Sequence, residues 1–167
     1  MLNVGILTIS DKGSRGERED LSSGAIREVL ARIDSTVIEY DMVPDEHGEI
    51  AGKLVEWADG GRMDVILTTG GTGFSERDIT PEATLSVVDK NVPGIAEAMR
   101  AKSLEKTPMA VLSRAAAGIR KKCLIINLPG SPKAARECLE AVLPAIPHGV
   151  EILKGEVTEH NLRDTGA

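Results

Sequence analysis

Short, uninterrupted apolar runs alternate along the chain with longer segments of helical periodicity, and this alternation constrains the fold more than any other feature. Residues 4–9, 65–67 and 124–128 have the continuous Val/Ile/Leu character of strands covered on both faces. Residues 36–43 are expected to form a further strand. Between the strands, Leu21, Ala25, Ile26, Val29, Leu30 and Ile33 recur at helical spacing. Residues 49–58 form a second helical segment, stopped by Gly60-Gly61. Thr80-Pro81 opens another helix, with Thr80 at the N-cap and Pro81 at the first helical position. A helix over residues 95–104 follows Pro93-Gly94, and one beginning at Ser131-Pro132 runs to Pro144. Residues 109–112 suit a short strand. Strands alternating with helices predict an α/β fold, a three-layer, doubly wound, mostly parallel sheet with helices on both faces. Residues 4–9, 65–68 and 124–128 are expected to be its neighbouring central strands. The whole chain, 1–167, is expected to be a single domain, with a polar tail over 155–167 that frays.

In such sheets ligands bind beyond the carboxyl ends of the strands, so the segments that follow the apolar runs carry the functional reading. Thr68-Thr69-Gly70-Gly71-Thr72-Gly73 follows the third strand. A backbone this rich in glycine can turn its N–H groups toward an anion. It is not a Walker loop, because no Gly-Lys-Ser/Thr follows, and it lacks the third glycine of a dinucleotide fingerprint, which weakens an NAD-binding reading. Phosphate binding is the expectation, against a plain tight turn. Gly71 and Gly73 are both expected to need positive φ, or space beside a phosphate. Asp78, just before a helix start, suits either a turn or cap or a Mg²⁺ ligand beside a phosphate. Asp45, in Pro44-Asp45-Glu46-His47, suits a cap of the next helix or the same ligand edge. Ser10-Asp11-Lys12-Gly13 follows the first strand. Asn127-Leu128-Pro129-Gly130-Ser131-Pro132-Lys133 follows the last clear strand and brings a Gly-Ser pair to a helix N-terminus, another anion-attracting place.

Composition narrows the ligand. The chain holds 20 Lys and Arg against 26 Asp and Glu, a net charge of −6. It has no basic run, and its aromatic content is 2%. Neither nucleic acid nor an anionic membrane surface is therefore an expected partner. No apolar run approaches a membrane span, and no signal-peptide pattern opens the chain, so a cytoplasmic location is expected. Cys123 and Cys138 form no close metal-ligand pair and are expected to be buried free thiols. The three histidines lie far apart and make no zinc signature.

Taken in order, these segments resemble the MogA/MoaB family of molybdenum-cofactor biosynthesis, the molybdopterin adenylyltransferases. The matching pieces are Ser10-Asp11 with Asp20 and Gly24, Pro44-Asp45, residues 68–73, residues 77–84, Pro93-Gly94 through Glu97 and Arg100, Leu112-Ser113-Arg114, and residues 127–133. They cover nearly the whole chain. The resemblance implies a molybdopterin-binding-type domain in which the terminal phosphate of molybdopterin attacks the α-phosphate of Mg-ATP. Adenylyl-molybdopterin and pyrophosphate result. It implies that Asp45 and Asp78 are the essential carboxylates, here expected to hold Mg²⁺. Ser10, Asp11, Thr69, Gly70, Gly71, Thr72, Gly73, Thr80, Ser113, Gly130, Ser131, Pro132 and Lys133 are the expected substrate contacts. A homotrimer and a transient contact with a molybdenum-insertion protein are further implications. Two other readings remain: a non-catalytic molybdopterin-binding scaffold of the same fold, and the related domain of competence-damage-type proteins. Retention of both acids disfavours the scaffold.

Overall fold

The structure is a computed structural model and describes residues 1–157. In chain order it runs β1 (Leu2–Ile9), a single turn α1 (Asp11–Ser14), α2 (Ser22–Leu30), β2 (Ser35–Val43), α3 (His47–Asp59), β3 (Val65–Thr69) and α4 (Thr80–Val87). There follow β4 (Lys90–Asn91), α5 (Pro93–Leu104), a 3₁₀ turn over Pro108–Leu112, β5 (Ala117–Arg120), β6 (Cys123–Leu128), α6 (Pro132–Val142) and α7 (Ile146–Lys154). One six-stranded sheet has the order β2-β1-β3-β6-β5-β4. The four strands β2, β1, β3 and β6 are mutually parallel; β5 runs antiparallel to β6 and β4 antiparallel to β5.

The three apolar runs are adjacent, as their sequence predicts. In β3 and β6 every residue is buried, because helices cover both faces. On one face α2, α5, α6 and α7 set Ile26, Met99, Leu139 and Val150 against Ile6, Leu67 and Ile126. On the other, α3 and α4 set Ile50, Leu54, Trp57 and Ala83 against Leu7, Ile66 and Ile125. The three layers follow from the parallel core, since right-handed crossovers must place helices over the sheet. One polar group enters this core. Asn127 donates from its amide to Thr68 Oγ1 at 3.0 Å and Thr84 Oγ1 at 2.8 Å, while its Oδ1 accepts from the Ala116 amide at 3.2 Å. Fully partnered, it ties β6, β3, α4 and the approach to β5 together at the functional end of the sheet.

Several expectations are corrected. Residues 109–112 do not form a strand: Pro108 and the Thr107 cap, whose hydroxyl accepts from the Met109 amide, begin a 3₁₀ turn. The Thr80 cap is displaced by one residue. Ile79 is the N-cap with no side-chain bond, and the Thr80 hydroxyl instead donates to the Gly70 carbonyl at 2.9 Å. The helix from Ser131 stops at Val142 and a second helix, α7, follows it, closed by Gly155 at φ 77°. Strands β4 and β5 were not foreseen. Both cysteines are buried and free, as expected, and burial pushes the Cys123 thiol up to about 12. Among the described residues no helix is long and apolar enough to cross a membrane. Most of the expected frayed tail, residues 158–167, lies outside the described residues.

Candidate functional site

The parallel register carries the ends of β1, β2, β3 and β6 to one edge of the sheet, where a cleft of about 580 Å³ opens. The glycine loop after β3 and the Gly130 loop after β6 meet there. The Gly70 amide donates to the Leu128 carbonyl at 3.1 Å, and Thr69 Oγ1 donates to the Pro129 carbonyl at 2.7 Å. A methyl group on Gly130 would stand 3.3 Å from Gly70 Cα, so the two loops form one floor.

Of the expected contacts, Ser10, Asp45, Thr69, Gly70, Gly71, Asp78, Gly130, Ser131 and Pro132 line this cleft. Several hydroxyls already have protein partners. Ser10 Oγ accepts from the Gly13 amide and Ser131 Oγ from the Ala134 amide, each capping a helix. Thr72 and Thr80 are buried. Thr80 supports Gly70 from behind rather than facing the cleft. Lys133 is exposed outside the lining. Ser113 falls into a separate apolar pocket with Met99, Met109 and Cys138.

The two acids are not helix caps. Asp45 Oδ2 accepts from the Asp11 amide at 2.9 Å, and the Asp45 amide donates back to Asp11 Oδ1 at 3.0 Å. This reciprocal pair joins the ends of β1 and β2. Asp11 is thus committed to the protein. Arg77 grips its carboxylate at 2.9 and 3.0 Å and reaches Glu46 at 2.8 Å. That guanidinium holds the Asp11 carboxyl below its ordinary range. Asp78 Oδ2 accepts from the amides of Gly73 at 3.0 Å and Ser75 at 3.1 Å. The Gly73 amide is therefore spent on Asp78 and not presented to a ligand. Gly71 has φ 69° and Gly70 φ 103°, whereas Gly73 has no positive φ. A methyl on Gly71 would meet Thr80 Oγ1 at 2.3 Å, and one on Gly73 would meet Asp78 Oδ2 at 2.9 Å. At both positions the absence of a Cβ makes room for the side chains of Thr80 and Asp78. The amides of Gly71 and Thr72 are the donors of this loop without a hydrogen bond among the described residues.

The electrostatics of the cleft favour a cation. Among the described residues, Glu19, Asp20, Asp45 and Asp78 line it, with Arg18 the one cation. Burial pushes the Asp45 carboxyl above the ordinary Asp range, and the charges of Asp11 and Asp78 push the same way. Asp45 and Asp78 each keep Oδ1 free of hydrogen bonds among the described residues. Two hard carboxylate oxygens suit Mg²⁺, which takes one or two carboxylates and completes its shell with water and substrate phosphate. Among the described residues no group of three or more His, Cys, Asp or Glu could hold a metal ion.

Asp20, which was part of the sequence match but not an expected contact, also lines the cleft. Burial opposes its ionisation, but bonds from Tyr40 Oη, Thr8 Oγ1, the Ser23 amide and Ser22 Oγ outweigh it and hold the carboxyl at about 2. A group depressed in the folded state stabilises the fold above its unfolded value, near 3.9, and loses that contribution as pH falls toward 2. The stability difference between wild type and Asp20→Asn, followed by urea unfolding, should therefore shrink as pH falls from about 4 to about 2. A pH-independent difference would remove the carboxylate network as its cause.

The arginine that organises the glycine loop was also missed as a site residue. Arg114 Nε donates to the Gly73 carbonyl at 2.8 Å and Nη2 to the Asp78 carbonyl at 3.0 Å, while Nη1 pairs with Glu82. Its own amide donates to the Thr72 carbonyl at 2.9 Å. Only the Leu112-Ser113-Arg114 match hinted at it.

Known proteins resemble the chain over most of its length. Residues 5–148 match the family described as "Probable molybdopterin binding domain". The molybdopterin adenylyltransferase of Helicobacter pylori (strain ATCC 700392 / 26695) is 49% identical over 167 residues, spanning 97% of this chain and 95% of that protein. That of Escherichia coli (strain K12) is 40% identical over 172 residues, spanning 95% and 88%. The crystal structure of the molybdopterin biosynthesis enzyme MoaB from Thermus thermophilus superposes with a TM-score of 0.88. It is 57% identical and covers 93% of this chain and 98% of its own.

Proposed function

The chain belongs to the molybdopterin-binding domain family, and from that membership we propose that it is the nucleotidyltransferase of molybdenum-cofactor biosynthesis, moving AMP from ATP to the terminal phosphate of molybdopterin. The observation that carries the reading is the pairing of an anion-receiving floor with two acids beside it. The floor combines the Gly70-Gly71 backbone with the N-terminus of α6, where N–H groups and the helix dipole favour a phosphate. The cleft is otherwise acidic, so the polyphosphate of ATP is admitted together with a divalent cation.

A phosphate oxygen of molybdopterin bonds to the α-phosphorus of ATP, and the bond from that phosphorus to the β-bridging oxygen breaks. Pyrophosphate carries away the electron pair. The attacking oxygen is already anionic, so no strong base is required, and among the described residues the cleft lining holds no histidine. Positioning and charge neutralisation then dominate. The Gly71 amide and the start of α6 bind phosphate oxygens, and Asp45 and Asp78 would hold Mg²⁺. When bound, the ion neutralises polyphosphate charge and orients the leaving group. The reciprocal Asp11–Asp45 bonds and the Arg77 grip keep the Asp45 carboxylate aimed at the cleft. Ser10, Thr69, Ser131 and Pro132 shape the walls. Thr80 and Gly73 act by holding the loop.

Release of pyrophosphate on mixing the protein with molybdopterin and Mg-ATP tests the reading. Release that requires all three supports it, and tight molybdopterin binding without release would favour a scaffold. The whole chain acts as one unit, and the unbridged Cys123 and Cys138 suit a reducing compartment such as the cytoplasm. We further propose a homotrimer, for which the exposed Leu104, Met109, Val111 and Leu112 offer apolar surface. Sedimentation at micromolar protein should give three times the 17.7 kDa chain mass, and a monomer mass would refute it. A transient handover contact with a molybdenum-insertion protein belongs to the same proposal.

A further inference from the structure

We infer that Arg114 is a positioning residue for Asp78: it brackets the loop from Gly73 to Asp78 and thereby fixes where the free Asp78 oxygen stands. The inference rests on the functional reading above only in assigning Asp78 to the cation; the bracket itself is a matter of geometry.

The loop from Gly73 to Asp78 crosses an exposed stretch that includes Phe74, Ser75, Glu76 and Arg77. Its own closure is modest. The Asp78 amide donates to the Ser75 carbonyl at 3.0 Å, and the Asp78 side chain takes the Gly73 and Ser75 amides. Nothing in these local bonds sets the loop against the sheet. Arg77 ties the loop's outer side to Asp11 and Glu46, and Arg114 holds its two ends from outside, 36 residues beyond Asp78. One guanidinium binds the carbonyl at each end of the loop, Gly73 and Asp78, and also the Glu82 carboxylate on α4. The Arg114 amide fixes the Thr72 carbonyl just before the loop. Four acceptors on three segments are thus held by one half-exposed residue, which is itself anchored where the chain enters β5.

The chemistry requires arginine. A planar fork with five donors can serve two carbonyls and a carboxylate at once, whereas the lysine ammonium is a compact point charge on a flexible stem. Arg114 reaches the protein's own carbonyls and does not line the cleft, so its effect on the reaction passes through Asp78. Groups that orient a metal-ligating carboxylate from behind affect metal affinity or activity by about 10–100-fold when removed.

The test uses Arg114→Ala and Arg114→Lys in the full chain. Lys retains the charge and the stem, and serves if the alanine variant does not fold. Hydrogen exchange, which needs no substrate, is read at the amides of Gly73 and Ser75. Both variants should speed exchange at these amides by about tenfold while β3 amides stay unchanged. Binding of Mn²⁺ to the protein with a non-hydrolysable ATP analogue, followed by paramagnetic resonance, should weaken by about tenfold or more. Turnover should fall through kcat, with KM for molybdopterin unchanged. Unaltered exchange at Gly73 and Ser75 would overturn the bracket. Faster exchange with unaltered Mn²⁺ binding would overturn the link to Asp78 and leave Arg114 a bolt of the fold. If wild-type protein neither binds Mn²⁺ with the analogue nor releases pyrophosphate, the functional reading fails, and with it the link to the cation, while the exchange result still decides the bracket.

Discussion

Asp78→Asn should slow adenylyl transfer by about 100-fold or more, about 2.7 kcal/mol of barrier, while the protein stays folded and continues to bind molybdopterin. Asn is the informative replacement because it preserves size and keeps one oxygen to accept the Gly73 and Ser75 amides. What it removes is the charge. Asp78→Ala would remove charge and loop closure together, so its loss of activity would have two causes. If Asp78 serves only to close the loop, Asn should restore nearly all the turnover that Ala loses. If it holds the cation, Asn and Ala should be similarly inactive. The assay is pyrophosphate release at saturating molybdopterin, run beside a thermal melt of each variant. Asp45 offers a second handle on the same charge: its carboxyl is raised by burial and by Asp11 and Asp78, and a bound divalent cation should pull it back down.

Gly70→Ala should be the most damaging single change in the loop. Gly70 stands at φ 103°, a conformation open essentially to glycine, and an added Cβ would lie 2.3 Å from the Ile9 carbonyl oxygen. That oxygen belongs to β1, which is fixed between β2 and β3 and cannot retreat cheaply. Strain of this kind costs on the order of 1–3 kcal/mol before the clash is added. A loss of at least about 2 kcal/mol in urea unfolding is expected, with turnover falling because Gly70 also anchors the Gly130 loop. Gly52→Ala is the control. Gly52 lies exposed within α3 with nothing within 4 Å of an added Cβ, so alanine should raise stability by about 0.5–1 kcal/mol. Equal behaviour of the two variants would contradict the account of the cleft floor.

The elements legible in the sequence were those whose burial is strongest. Strands β1, β3 and β6 are covered on both faces, so their runs are unbroken and their adjacency follows. Strands β4 and β5 escaped because they are short, and Ile119 and Arg120 are only half-buried. The hairpin from β5 to β6 turns on Lys121 at φ 53°, where no glycine or asparagine flags the turn. Helix α7 escaped because Pro144, Pro147 and Gly149 resemble breakers, although Pro147 sits in the first helical turn, where its missing N–H costs nothing. The site divides in the same way. Asp45 and Asp78 stand out because strand-end acids beside a glycine loop have a recognisable chemistry. Their actual partners do not stand out. The Asp11–Asp45 exchange spans 34 residues and the Arg114–Asp78 bond spans 36, and such pairings exist only once the strand order is known. Thr80 misled for a related reason, since its hydroxyl has two plausible uses, cap and loop support, and only the proximity of Gly70 decides between them.

The central claim is that AMP, and not phosphate, is transferred. ATP labelled with ³²P at the α-position should leave its label on molybdopterin, and ATP labelled at the γ-position should release all of its label as pyrophosphate. Label from the γ-position appearing on molybdopterin, or no transfer of α-label with folded protein and both substrates present, would contradict it.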